Sequence, residues 1–183
     1  MTSGTSRLAA NKTGGLDSFP GFHIGGYLLY PESRGSVHSR STDPTQAPEI
    51  RVNYLSNKLD RDVTVRVLRM IRQIASMRPL SDFIVREVRP GSAAQDDQEL
   101  LDFARRTGST CWHPTGTCKM GNGPDAVVDS SCKVHGLFGL RVIDASVVPR
   151  MVASNTNFPT MMIAEKMADA IQREFCTGDA KAN

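Results

Sequence analysis

The sequence predicts an α+β fold, because short extended segments and helical segments occur without strict β–α alternation. Three observations carry that prediction. Glu49 to Tyr54 alternates polar and apolar residues, the period of a half-buried strand. Val67, Leu68, Ile71, Ile74 and Ala75 recur at helical spacing, as one face of an amphipathic helix requires. A third stripe, Ile163, Met167, Ala170 and Ile171, has the same helical period near the end of the chain. There is no internal repeat.

The elements follow in order. Residues 1 to 20 are rich in Ser, Thr, Gly and Asn and predict a flexible lead-in. The aromatic and aliphatic stretch from Phe22 to Tyr30 suits a buried strand. Pro31 stops it, and Ser33-Arg34-Gly35 turns into a polar strand around Val37. A loop from Asp43-Pro44 to Pro48 leads into the alternating strand at Glu49. The first helix is expected after Asp60, a candidate N-cap, with Pro79 beyond its end. A second helix should start at Asp96 or Asp97, carry Leu100, Leu101 and Ala104, and finish at Gly108. Residues 111–136 show little periodicity. Leu140 to Asp144 reads as a short strand, and the last helix should begin near Pro159, which suits a first turn. Residues 176–183 form a tail.

Bulk properties narrow the function classes. The chain has 183 residues, 39% of them hydrophobic, enough to bury a core. A net charge of +3 with scattered Lys and Arg argues against nucleic acid as a partner. No apolar run of transmembrane length occurs, so no membrane insertion is expected. The first twenty residues hold no apolar signal region, which makes the cytoplasm the expected compartment. Four cysteines in a chain of this length predict reduced thiols rather than a disulfide framework.

Two segments stand out from this background. The first runs Cys111-Trp112-His113-Pro114-Thr115-Gly116-Thr117-Cys118-Lys119-Met120-Gly121. The second runs from Leu140-Arg141-Val142-Ile143-Asp144-Ala145 through Ser154-Asn155-Thr156-Asn157-Phe158-Pro159-Thr160 to Ala164-Glu165-Lys166-Met167-Ala168-Asp169. Their order and separation resemble the C-terminal signature of the glucose-methanol-choline oxidoreductases, above all the choline-dehydrogenase-like branch. The resemblance extends from about Phe22 to Ile171 and includes Tyr30-Pro31-Glu32-Ser33-Arg34-Gly35-Ser36-Val37 and Asp43-Pro44.

That resemblance implies an FAD-dependent oxidation of a small-molecule alcohol. A hydride leaves the carbon for the flavin, and the hydroxyl proton must leave too. An alcohol is a weak acid, so a base has to sit within hydrogen-bond reach of its oxygen, and imidazole is suited to that task. By its place in the motif, His113 matches the family's catalytic histidine. Asn155 matches the second active-site position, where an amide can hold the substrate oxygen. Trp112, Asp144, Ala145, Thr156 and Asn157 fall where the family approaches its flavin. A helix starting after Asn157 would aim N–H groups and a positive dipole end at the electron-rich ring.

The resemblance also implies a domain plan. Residues 21–136 correspond to the substrate-binding domain, an antiparallel sheet flanked by helices that carries the catalytic His loop. Residues 137–175 correspond to a strand and helix that return to complete an FAD-binding domain. The family grips the ADP part of FAD with G-x-G-x-x-G after a strand, and no such pattern occurs here. The chain is therefore expected to be inactive alone, with a separate N-terminal FAD-binding half as a possible partner.

Plainer readings stand beside these. A lone histidine in an irregular segment is most often structural or solvated. Asn155 suits a turn or cap, Asp144 can cap the turn that follows it, and Met161 and Met162 suit packing. Arg34 in its turn reads as a surface residue. Cys111, His113, Cys118, Cys132 and His135 give a rival zinc reading, in which Cys132-x-x-His135 has a ligand-like spacing. No paired C-x-x-C knuckle supports it, and His135 before Gly136 reads as structural. A non-catalytic remnant or a metal-stabilised binding module is the alternative to an enzyme.

Overall fold

The computed structural model describes residues 19–176. Most of the expected lead-in and nearly all of the expected tail lie outside the described residues. In order, the elements are strands β1 (Ser36–His38) and β2 (Glu49–Arg51) and helices α1 (Lys58–Ala75), α2 (Asp97–Thr107) and α3 (Asn157–Cys176). Short 3₁₀ turns occur at Leu80–Phe83 and Ala145–Val147. β1 and β2 pair antiparallel, with Val37 opposite Ile50. The fold is α+β, as the sequence predicts.

Two compact units emerge from the contacts. Of the described residues, the first holds 19–34 and 53–109, and the second holds 35–52 and 110–176.

In the first unit the helices form where propensity and capping agree. Asn57 caps α1 by accepting the Leu59 N–H at 2.8 Å. Asp60 is therefore not the N-cap; it lies in the first turn of α1. It is nearly fully buried, at 4% exposure, and its two carboxylate oxygens accept the backbone N–H groups of Glu32 and Ser33, each at 2.8 Å. Burial works to raise its pKa, but these hydrogen bonds, with help from the Arg34 charge, outweigh it and hold the carboxyl below the usual range.

α2 begins with a full capping box, in which Asp96 accepts the Glu99 N–H and the Glu99 carboxylate accepts the Asp96 N–H. Val65, Leu100 and Leu101 are the buried centre of this unit, flanked by Leu55, Leu68 and Ala94. Arg69 reaches from α1 to Asp97, and Arg72 donates to the Gly91 carbonyl at 3.0 Å.

Three local expectations are corrected. Phe22 to Tyr30 is not a strand. A strand needs a neighbour for its N–H and C=O groups, and no described segment pairs with this one. Its chain instead passes close to α1: a Cβ at Gly26 would sit 2.5 Å from the Val67 Cγ1. The second strand stops at Arg51 rather than Tyr54, because Asn53 and Leu55 take positive φ values of 50° and 58°, which break an extended run. Leu140 to Asp144 forms only an isolated bridge, Lys133 with Arg141, before the chain turns at Asp144.

The second unit is built differently. Its core is Val128, Cys132, Val147 and Met167, with Ile163 and Ala170 of α3 packed against it. The chain from 118 to 142 is tied by backbone bonds between loops rather than by long ladders. Val127 N–H donates to the Lys119 carbonyl at 2.9 Å, His135 N–H to Val127 at 3.0 Å and Val142 N–H to Cys132 at 3.1 Å. Asp129 holds the tightest corner, its Oδ1 accepting the N–H groups of Ser131 and Lys133. α3 starts at Asn157, two residues before the expected Pro159, which is tolerated inside the first turn because its missing N–H would have no helical partner there. Arg141 anchors the far end of α3 through both oxygens of Glu174, at 2.7 and 2.6 Å.

Candidate functional site

All the expected site residues lie in the second unit, on two stretches more than twenty residues apart in sequence. Backbone bonds join those stretches. The Cys118 N–H donates to the Ser146 carbonyl at 3.0 Å, and the Met120 N–H donates to the Val147 carbonyl at 2.9 Å. Gly116, at φ +83°, runs so close to the second stretch that a Cβ would meet the Val148 carbonyl oxygen at 3.3 Å. A side chain there would be strained by its backbone conformation and crowded by the neighbour. These contacts fix the loop that carries His113.

His113 is half-buried. Its Nδ1 lies 3.0 Å from the Thr156 Oγ1, and its Nε2 has no hydrogen-bond partner among the described residues. This single contact ties the first motif to the start of α3. It sets His113 beside the Asn155-Thr156-Asn157 turn that the sequence singled out. Asn155 is exposed at that turn.

Trp112, next to the histidine, holds a left-handed backbone at φ 62° and exposes 79% of its surface. Its N–H donates to the Thr110 hydroxyl at 3.1 Å. A bulky residue in this conformation carries backbone strain. Phe158, Met161 and Met162 on α3 are also exposed, so the face around the turn is apolar. Packing of Met161 and Met162, the plainer reading, is not found among the described residues.

Asp144 is exposed, and its carboxylate accepts the Ser146 N–H at 2.7 Å. It thereby caps the Ala145–Val147 turn, the plainer role weighed for it. That turn supplies the carbonyls that hold the His113 loop, so Asp144 shapes the site through the backbone.

The zinc alternative does not assemble. Among the described residues no group of three His, Cys, Asp or Glu side chains is placed to hold a metal. Cys132 is 1% exposed in the core, where burial first and the nearby Asp129 charge second push its thiol pKa up; a zinc ligand needs the thiolate. His135 spends its Nε2 on the Gly121 carbonyl at 2.9 Å, a structural role as expected. All four cysteines are free thiols.

The residues present fit one end of a flavin. The N–H groups of Asn157 and Phe158, at the positive end of α3, have no acceptor among the described residues, and Pro159 offers none. Free donors beside an apolar aromatic face suit the electron-rich edge of an isoalloxazine ring. Nothing among the described residues forms a phosphate-binding glycine turn. No helix of the described residues is long and apolar enough to cross a membrane.

Sequence reasoning missed the Thr156–His113 contact. A signal for it was available: Pro159 stands at the third position of α3, where an N-cap hydroxyl normally finds an N–H to accept. A threonine before such a proline has its hydroxyl released for another partner.

Comparison with known proteins identifies the family. Residues 31–164 match the C-terminal family model described as GMC oxidoreductase. An oxygen-dependent choline dehydrogenase from Cronobacter sakazakii is 44% identical over 150 residues, covering 82% of this chain and 26% of the relative. Another, from Chromohalobacter salexigens, is 43% identical over 152 residues, covering 82% and 27%. The chain thus spans about a quarter of the length of these relatives. Among solved structures, pyridoxine 4-oxidase from Mesorbium loti aligns with a TM-score of 0.75 at 34% identity, over 79% of this chain and 28% of its own. A fungal aryl-alcohol oxidase aligns with a TM-score of 0.73 at 32% identity, over 81% and 25%.

Proposed function

The chain belongs to the GMC oxidoreductase family, and from that premise we propose that it is the catalytic C-terminal portion of an FAD-dependent enzyme that oxidises an alcohol. The substrate class is a primary alcohol, in keeping with the choline-dehydrogenase-like relatives. Residues 21–136 serve as the substrate-binding domain with its His loop, and 137–175 as the segment that completes the flavin domain. The ADP part of FAD is held by residues outside this sequence.

One observation carries the reading. His113, the candidate base, is held beside the Asn155-Thr156-Asn157 turn through its Nδ1, and its Nε2 has no hydrogen-bond partner among the described residues. An imidazole nitrogen in that state accepts the hydroxyl proton of a bound alcohol. The Asn155 amide, one residue before Thr156 on the same turn, holds the alcohol oxygen so that its proton faces the base. The N–H groups of Asn157 and Phe158 would hold the flavin edge. When bound, the flavin supplies the two-electron sink that accepts the hydride.

The test joins this chain to a supplied dinucleotide-binding half and follows the visible absorption of FAD through gel filtration. Flavin bands should travel with the assembled protein. In that assembly His113→Ala should lower kcat/KM for a primary alcohol by about 10²–10⁴-fold without loss of bound flavin. Unchanged turnover in His113→Ala would remove the base assignment.

A further inference from the structure

The geometry points to a role for Thr156: we propose that it is a positioning residue that holds the neutral imidazole of His113 in the Nδ1–H tautomer, leaving the Nε2 lone pair to act as the base. The proposal rests on the reading of His113 as that base. Its own foundation is the 3.0 Å contact between the His113 Nδ1 and the Thr156 Oγ1.

Three features of the local chain support it. Thr156 directly precedes Asn157, the first residue of α3, and its carbonyl accepts the Thr160 N–H at 3.0 Å, the first bond of the helix. The residue thus stands at the N-cap position. An N-cap threonine ordinarily turns its hydroxyl oxygen to the N–H of the second or third helical residue. Here the third is Pro159, which has no N–H, and the second, Phe158, donates to nothing among the described residues. Among the described residues the Thr156 hydroxyl makes one side-chain hydrogen bond, with His113, so its oxygen, not taken up by a helical N–H, is available to accept from the imidazole.

A hydroxyl can donate to Nδ1 or accept from it, and the two cases have opposite consequences. If Nδ1 accepted, Nε2 would carry the proton and could not take another from a neutral alcohol. If Nδ1–H donates to Oγ1, Nε2 has a free lone pair. The Thr156 carbonyl does not compete, since it already accepts both the N–H and the Oγ1–H of Thr160, the latter at 2.7 Å. That pair of bonds fixes the backbone of Thr156 and hence the place of its Oγ1. Bond formation at the first step then balances simply: the alcohol proton moves to Nε2, giving an imidazolium whose Nδ1–H bond to Oγ1 strengthens as charge develops.

The experiment is long-range 1H–15N NMR on the 15N-histidine-labelled 183-residue chain, with the His113 signals identified by their loss in His113→Ala. With the ring neutral, His113 should show a pyrrole-type Nδ1 and a pyridine-type Nε2. Thr156→Val removes the hydroxyl at nearly constant shape and should shift the population to Nε2–H; Thr156→Ser should restore the wild-type pattern. A wild-type His113 protonated on Nε2, or a Thr156→Val protein with an unchanged tautomer, would overturn the proposal.

In the assembled enzyme, Thr156→Val should lower kcat about tenfold with KM little changed, the scale of one lost hydrogen bond, and Thr156→Ser should recover it. A tenfold rise in KM at constant kcat would instead assign Thr156 to substrate binding. If the NMR outcome holds while His113→Ala retains full turnover, the tautomer contact stands and the base assignment fails. A failed NMR outcome with an inactive His113→Ala separates them the other way.

Discussion

The two units of this chain solve the same packing problem by opposite means. The first folds through local rules: α1 and α2 each have a side-chain cap, an apolar stripe and a breaker, and their stripes meet at Val65, Leu100 and Leu101. The second has one long helix, and its remaining core positions, Val128, Cys132 and Val147, come from loops. There the order comes from backbone bonds between segments distant in sequence, such as Cys118 to Ser146 and Val142 to Cys132. The residues of the proposed site all lie in the second. Loops can place side chains and N–H groups at angles a regular helix forbids, and functional residues gather on them for that reason. The cost is that every such loop must be held by its neighbours.

Substitutions can sharpen that contrast. The largest effect on stability is expected from Leu100→Ala in the first unit. Leu100 is fully buried, and truncation should cost about 2–5 kcal/mol, read as a lower urea midpoint by circular dichroism. The His113 tautomer, followed by NMR in the same variant below its transition, should be unchanged. A change at His113 would break the idea that the two units are separately organised.

Next comes Asp60→Asn, which replaces one accepting oxygen by a donor facing a half-buried backbone N–H. About 2 kcal/mol is expected, the range for a hydrogen bond to a charged group. The pH dependence gives its sign. The folded-state pKa of Asp60 is depressed, so its contribution is complete above the ordinary carboxylate range and is lost as the pH falls through the folded value. The wild-type chain should therefore lose stability on acidification more steeply than Asp60→Asn in urea melts between neutral and acidic pH. Parallel acid limbs would mean that the Glu32 and Ser33 contacts do not couple to folding.

The smallest effect is expected from Asp96→Ala, which removes the cap of α2. Its cost should be about 1 kcal/mol, again visible as a shifted urea midpoint. An effect as large as that of Leu100→Ala would show that α2 depends on its cap more than on its buried leucines.

What could be read from the sequence follows the same division. Asp96 and Gly108 mark the ends of α2 because capping is a matter of a few adjacent residues. The period of Ile163, Met167 and Ala170 gives α3 and its buried face for a similar reason. The motifs around His113 and Asn155 pointed to the family because their order and separation can be read along the chain without knowing what packs against them. Phe22 to Tyr30 was misread because an apolar run looks the same whether or not a partner strand lies beside it. Asp60 was misread because a carboxylate near a helix start suits a cap, while its real partners, Glu32 and Ser33, lie 28 and 27 residues away.

The sequence by itself thus determined the α+β class, the helices and the two motif segments that carry the family resemblance, all of which are read within a turn or a few turns of chain. Only the tertiary structure decided that Cys132 is core and that His113 meets Thr156. Each of those depends on which distant atoms arrive within about 3 Å, and no periodicity along the chain encodes that arrival.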